Sequence, residues 1–233
     1  MSFNRQSMME VVLTKDSSPT IFNTQFNAHY HSIFGSEQES LHVFIQNGFL
    51  YYIQQYPSLP TINILEVGFG TGLNCFLTYH YWNELKDIQP VIHYFAIEKY
   101  PLEASIIQTL KNYLPFQNNK ELFCTMHQEL NTILLHNNFN LHKIIGDARD
   151  IINDIENNNL NIIYYDAFAP SAQSEMWQKE IFEMLYLKLK TNGILVTFCA
   201  KGQFKRDLKS IGFEVQSLPG SLGKREMTRA IKV

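Results

Sequence analysis

Short apolar runs alternate with longer amphipathic stretches along most of the chain. From residue 62 onward the runs are INILEV (62–67), VIHYFAI (91–97), NIIYYD (161–166) and GILVTFC (193–199). They are rich in β-branched and aromatic residues, apolar on both faces and bounded by Gly, Pro or Asn. That is the pattern of central strands in a sheet covered on both sides. Between and around them the spacing predicts helices over 72–83, 101–113, 121–136, 147–157, 174–190 and 202–210. Strands alternating with helices imply βαβ units and a doubly wound, mostly parallel α/β sheet. A strand near 141–145 and a closing antiparallel pair, 213–218 and 226–233, complete it. Residues 1–61 do not follow this rhythm. They are expected to form a small N-terminal cap, with a helix near 38–55 despite Gly48, ahead of one larger domain over 62–233.

Composition narrows the class. With 233 residues, 45% apolar and only 18% charged, the chain can bury a full core without disulfide or metal staples. Cys75, Cys124 and Cys199 are odd in number, widely spaced and form no C-x-x-C pair, which argues against a disulfide framework or a Cys-rich zinc site. Cys199 falls in a core strand and reads as a small buried hydrophobe. The start, MSFNRQSMME, carries no apolar stretch, and no run approaches the ~18 apolar residues of a membrane span. A soluble, cytoplasmic protein without membrane contact is expected. The polar patches QNN (117–119) and NNNLN (157–161) read as loops.

The net charge of −3 hides an asymmetry: residues 188–233 hold ten Lys or Arg against Asp207, Glu214 and Glu226, a local excess of +7. A basic end on an acidic body is a candidate footprint for a polyanion, and equally the signature of a solvated helix face.

The segment ILEVGFGTGLN (64–74) carries most of the chemistry. A buried strand runs into Gly68, Gly70 and Gly72, and a helix opens at Leu73–Asn74. Glycines there permit a tight turn and let a ligand approach the backbone. The spacing is G-x-G-x-G and not the G-x-G-x-x-G of dinucleotide binders. Glu66, two residues before the first glycine, would repel a pyrophosphate but suits an ammonium group. A ligand with ammonium, carboxylate, ribose and adenine is S-adenosylmethionine. Glu98, at the end of the next strand, is the candidate acceptor for its ribose, and Asp147 with Ala148, in IIGDAR (144–149), the candidate partner for its adenine. Each has a plainer reading: a tight turn, a surface acid beside Lys99, a helix N-cap at Asp147. Their shared place, at the carboxyl ends of successive strands, is where open α/β sheets bind ligands.

In NIIYYDAFAPSAQSEMW (161–177) a strand ends in Asp166 and turns through Phe168 and Pro170. A strand-end acid followed by an aromatic and a proline resembles the amine site of N-methyltransferases. Asp166 would orient the N–H bonds of a neutral amine and Phe168 would wall it; the plainer alternative is a loop cap and a core aromatic.

These residues resemble the methyltransferase half of the MnmC family, which forms the methylaminomethyl group on the wobble uridine of certain tRNAs. The likeness runs through FNAHYHSIFGSEQESLHVFIQNG (26–48), EVGFGTGLN (66–74), YYDAFAPSAQSEMW (164–177), LVTFCAKGQFKRDL (195–208) and GKREMTRA (223–230). It implies a Rossmann-like class I methyltransferase fold, a mostly parallel seven-stranded sheet with an antiparallel C-terminal strand. It also implies S-adenosylmethionine as cofactor, without FAD or metal, and a tRNA anticodon arm as partner, with functional coupling to the enzyme that installs the aminomethyl group. Tyr30, Ser32 and Glu39 are then expected substrate contacts from the cap, and Lys201, Lys205, Arg206, Lys224 and Arg225 expected phosphate contacts. Two departures stand out: Asn27 and Ala28 occupy the place of a family Asp-Asp pair, and the chain stops at Val233, before any flavin-dependent oxidase. His29-x-His31 with His42 lacks a firm carboxylate or Cys partner, so no metal is expected. A small-molecule amine methyltransferase, or a catalytically silent RNA-binding module on the same fold, are the rival readings.

Overall fold

The computed structural model describes residues 9–85, 89–113, 120–128 and 131–233. The expected leaderless start (residues 1–8) and the QNN loop at 117–119 lie outside the described residues.

Strands β1 (Met9–Leu13), β2 (Pro19–Asn23) and β3 (Ala28–His29) form a small antiparallel sheet. Helix α1 (Ser36–Ser40) continues through a wider, π-wound stretch (Leu41–Leu50) into α2 (Tyr51–Gln55), matching the helix expected near 38–55. Gly48 explains how closely that helix approaches the sheet: a Cβ there would lie 3.1 Å from the Tyr164 ring and 3.2 Å from Val196 Cγ2.

The main body follows as β4 (Thr61–Val67), α3 (Leu73–Asn83), β5 (Val91–Glu98), α4 (Ala104–Lys111), α5 (Lys120–Met126), β6 (Thr132–His136), β7 (Phe139–Ile145), α6 (Ala148–Ile151) and β8 (Leu160–Tyr165). Then come α7 (Lys179–Lys188), β9 (Leu189–Thr197), α8 (Gly202–Ile211), β10 (Phe213–Pro219) and β11 (Glu226–Lys232). The strands build one mixed sheet in the order β10-β11-β9-β8-β4-β5-β7-β6. The run from β9 to β7 is parallel and β10 and β11 form an antiparallel pair, both as expected, and β11 inserts antiparallel between β9 and β10.

Among the described residues the sheet has eight strands, where seven were expected. The helix expected over 121–136 stops at Met126, and Thr132–His136 pairs antiparallel with β7 as an edge strand. The reason is local: TILLH and FNLHKII are two strand-like runs separated by Asn137-Asn138, a two-residue hairpin signal.

Side chains alternate across the pleat. Ile64, Tyr94 and Tyr164 join Phe44, Phe49, Phe76 and Trp82 in one buried layer, so the 36–55 helix and α3 cover that face. Leu65, Val67, Ile163 and Tyr165 face the other way onto Phe182, Leu185 and Leu208 of α7 and α8. The carboxyl ends of β4, β5, β7 and β8 therefore meet at one edge between two covered faces, in register: Glu66 opposite Ala96 and Tyr164, Glu98 opposite Ile145.

Candidate active site

The glycine turn after β4 is fixed by backbone bonds, with Gly68 N–H donating to Ile97 O at 3.0 Å and Gly72 N–H to Phe69 O at 2.8 Å. Gly68 sits at φ +93°, where a Cβ would be 2.6 Å from the Asp166 carbonyl oxygen. At Gly70, with φ +51°, a Cβ would meet the Tyr30 ring at 2.9 Å. Both positions thus require glycine by conformation and by close approach.

A cleft opens above this turn. Of the sequence-predicted residues it brings together Tyr30, Gly68, Gly70, Glu98, Asp147, Ala148, Asp166 and Phe168. Glu98 accepts the Gly70 N–H at 2.8 Å and the Tyr100 N–H at 2.7 Å. Burial raises its pKa against the pull of these backbone donors. Asp147 does cap its helix, accepting the Arg149 N–H at 3.0 Å. The Arg149 guanidinium grips it twice, at 2.9 and 2.6 Å, and Lys99 Nζ donates to it at 2.9 Å. Those cations, Arg149 first, hold its carboxyl far below the usual carboxylate range.

Glu66 lies outside the cleft, 0% exposed beneath the glycine turn. Tyr94 OH donates to one of its oxygens at 2.9 Å and Asn74 Nδ2 to the other at 2.8 Å. The same Asn74 nitrogen donates to Asp166 Oδ2 at 2.8 Å. Burial drives the Glu66 pKa well up, and the nearby Asp166 charge adds to it against the Asn74 and Tyr94 hydrogen bonds. Glu66 thus stands behind the turn and does not line the cleft. Asp166 is pushed up to about 7, by burial first and then by Glu39, with the Asn74 bond and Lys224 opposing.

The aromatic wall is larger than the sequence indicated. Phe168 stacks on Phe26 with centroids 4.8 Å apart and meets the Tyr30 ring edge-on at 5.1 Å. Its backbone carbonyl accepts the Trp177 indole N–H at 2.7 Å, which fixes the loop. Burial raises the Tyr30 hydroxyl pKa, with Glu98 adding. His31 also lines the cleft, buried and held neutral by desolvation at a pKa of about 4. Sequence reasoning set His31 aside because histidines at i, i+2 suggested only a metal question, and it had no signal for Phe26. Pro170 sits in the same loop but does not line the cleft, and neither do Gly72, Asn74, Ser32 or Glu39.

The basic tail divides between paired and exposed cations. Lys224 pairs with buried Glu39 and lies 3.9 Å over the Phe198 ring. Glu39 also accepts the Ser32 N–H at 2.9 Å. Lys205 pairs with Glu226 at 2.6 Å. Lys188 and Lys232 donate to backbone carbonyls, and Arg229 is buried over the Tyr51 ring at 3.5 Å. Much of the +7 excess is therefore spent inside the fold, while Lys201, Arg206 and Arg225 are exposed.

A mostly parallel sheet with two reversed strands, a glycine turn after its first core strand and an acid at the end of its second define a nucleoside-binding α/β enzyme of the methyltransferase class. The sequence model of the S-adenosyl-L-methionine-dependent methyltransferases matches residues 115–233, and the chain belongs to that family. Relatives include the tRNA 5-methylaminomethyl-2-thiouridine biosynthesis bifunctional protein MnmC of Pseudoalteromonas atlantica, 32% identical over 95% of this chain and 33% of that protein. The MnmC protein of Leptospira interrogans is 32% identical over 93% of this chain and 34% of its own length. The chain thus spans about a third of the length of these relatives. Among solved structures, MnmC2 from Aquifex aeolicus superposes with a TM-score of 0.79 at 24% identity, over 97% of this chain and 71% of that one. Spermidine synthase from Thermotoga maritima shares the fold, with a TM-score of 0.58 at 12% identity over 96% of this chain and 68% of that one. Among the described residues no helix is long and apolar enough to cross a membrane.

The residues present fit S-adenosylmethionine. Gly68 and Gly70 bring bare backbone to the cleft wall, and Glu98 lines the cleft with lone pairs left for hydroxyl groups.

Proposed function

We propose that this protein methylates the aminomethyl nitrogen on the wobble uridine, thiolated or not, of tRNA, giving the methylaminomethyl derivative in the cytoplasm. Residues 62–233 would form the donor-binding domain and residues 1–61 a cap that supplies Phe26, Tyr30 and His31 to the cleft. The observation that carries the reading is Asp166. It lies at the end of β8 in the cleft, walled by Phe168 and steered by Asn74, with a pKa of about 7.

When bound, S-adenosylmethionine supplies an electrophilic methyl group on a positively charged sulfur. Glu98, the glycine turn and Ala148 would hold it. Asp166 accepts an N–H of the incoming amine and takes up the proton that the nitrogen sheds as its new N–C bond forms. A carboxyl near pH 7 suits that task, because it is basic enough to accept the proton and still ionised in a useful fraction. Phe168, Phe26 and Tyr30 exclude water and fix the approach, an orientation effect worth up to ~7–11 kcal/mol in well-positioned cases. The MnmC relatives, named for tRNA 5-methylaminomethyl-2-thiouridine biosynthesis, support the choice of amine.

The test incubates purified protein and labelled S-adenosylmethionine with two tRNA pools, one lacking the aminomethyl group and one carrying it. Label recovered only as methylaminomethyl-uridine from the second pool is the expected result. No label in either pool, with donor binding intact, overturns the tRNA assignment and turns the search to small amines.

A further inference from the structure

We infer that His31 is a specificity-determining residue, whose imidazole Nε2–H donates to the carbonyl oxygen beside the aminomethyl-bearing carbon of the substrate base. The inference rests on the tRNA reading and deepens it, by naming the group that reads the edge of the pyrimidine.

The backbone holds this imidazole in place. Three successive N–H groups are engaged: Tyr30 N–H donates to Ile21 O at 2.8 Å, His31 N–H to Thr20 Oγ1 at 3.0 Å and Ser32 N–H to Glu39 Oε2 at 2.9 Å. Thr20 and Glu39 are themselves buried. His31 is 9% exposed and forms part of the cleft wall, one residue after Tyr30, whose ring meets Phe168 edge-on.

The polar atoms of the ring are unclaimed. The imidazole makes no hydrogen bond with the described residues, and its Nδ1 is sealed from solvent without a partner. A proton on Nδ1 would be an orphaned N–H, which folded proteins tolerate less than an orphaned acceptor. The proton therefore belongs on Nε2, and that nitrogen is the donor the ring offers the cleft. Buried polar groups are paired as a rule, so a firmly held ring left unpaired at a ligand cleft calls for a partner on the ligand. His31 does not compete with Asp166 for the proton of the amine. Desolvation holds its pKa at about 4, with Glu39 opposing and Lys224 adding, so the imidazole stays neutral where Asp166 ionises.

The chemistry of the acceptor follows from Asp166. It lines the same cleft, and the Glu39–Lys224 pair acts on both groups. With the amine at Asp166 and the base against Phe168 and Tyr30, the ring carbon next to the amine-bearing one carries a carbonyl oxygen in a uracil and an amino group in a cytosine. A fixed N–H donor pairs with the first and leaves the second unpaired.

The experiment gives wild type, H31F and H31Q two anticodon stem-loops, one with 5-aminomethyluridine and one with 5-aminomethylcytidine at the wobble position. It measures kcat/KM on each RNA and the affinity for S-adenosylmethionine. Wild type favours the uridine RNA about tenfold. H31F loses about tenfold on the uridine RNA, the cost of one unpaired buried polar group, and with it the preference. H31Q, which keeps an N–H donor, retains most of the uridine rate, and donor affinity is the same in all three. A wild type without preference overturns the assignment. So does H31F with no loss, with an equal loss on both RNAs, or with weakened donor binding. Wild-type protein that binds the donor yet methylates neither RNA overturns the functional reading instead.

Discussion

The side-chain nitrogen of Asn74 donates to Asp166 Oδ2 at 2.8 Å, and the same nitrogen donates to Glu66 Oε1 at 2.8 Å. An acid within β4 and the acid that follows β8 are thereby tied to the first turn of α3, immediately behind the glycine turn. The positions of one carboxyl at the cleft and another behind the glycine turn depend on one amide.

Asn74→Ala removes that tie. Glu66 keeps only Tyr94, and Asp166 loses the hydrogen bond that favours its charged form. The rising limb of the pH–rate profile moves to higher pH, and stability falls by the ~1–3 kcal/mol of an unpaired buried polar group. Urea denaturation alongside the profile checks both. A profile that stays in place would show that Asn74 does not govern Asp166.

Asp166→Ala abolishes turnover while S-adenosylmethionine still binds in a calorimeter. In wild type, activity rises with pH through about 7 as Asp166 ionises. Stability runs the other way. An unfolded carboxyl titrates at its ordinary value of 3.8 and the folded one at about 7, so between those values the native state holds the extra proton. Asp166 therefore costs stability progressively as pH rises from about 4 to about 7. Asp166→Asn removes that cost, so its Tm exceeds that of wild type at pH 8 and the gap closes by pH 4.

Glu98→Ala weakens donor binding first, by about 1–3 kcal/mol, because Gly70 and Tyr100 lose the acceptor for their N–H groups and the ligand loses its carboxylate. Glu98→Gln retains more affinity than Glu98→Ala. Equal affinity in all three proteins would remove Glu98 from the donor site.

Gly68→Ala is expected to be more damaging than its size suggests. The new Cβ would press on the Asp166 carbonyl at 2.6 Å, from a φ of +93° that alanine rarely adopts. Strain of this kind costs about 1–3 kcal/mol and displaces the acceptor residue itself. A lowered Tm together with a fall in kcat larger than the rise in KM is the signature.

Lys224→Met strands the Glu39 carboxylate, whose side chain is 6% exposed. A loss of about 1–3 kcal/mol is expected, since the lysine is partly solvated, and Glu39→Gln in the same background restores part of it. A double-mutant cycle by chemical denaturation measures the coupling. Additive effects would show that the pair contributes nothing to holding the cap on the sheet.

The core strands and the order of the helices were legible because a buried parallel strand is apolar on both faces, a pattern that survives without any partner in view. The chemistry at the strand ends was legible for the same reason: Gly68, Glu98 and Asp166 follow recognisable runs. What escaped lies in pairings across the chain. Thr132–His136 looked helical when joined to the helix before it, and only its register with Phe139–Ile145 makes it an edge strand. Glu39 and Lys224 stand 185 positions apart, so neither charge announces the other. Counting Lys and Arg over residues 188–233 gave the sign of that region and not its exposure, since a lysine that donates to buried carbonyls counts the same as one in solvent. Glu66 shows the same limit: spacing puts an acid beside the glycine turn, and only the fold shows it tied to Tyr94 and Asn74 behind that turn.

The placement of β11 also governs the order in which the molecule can be completed. It follows every other strand in the chain, yet lies between β9 and β10 and pairs with both. Until Glu226–Lys232 arrives, each of those strands offers a bare row of amide and carbonyl groups, with no partner to choose but another molecule. A chain interrupted before residue 226 would thus be a sticky half-sheet rather than a weakened enzyme. Residues distant from the chemistry thus close the sheet edge beside it.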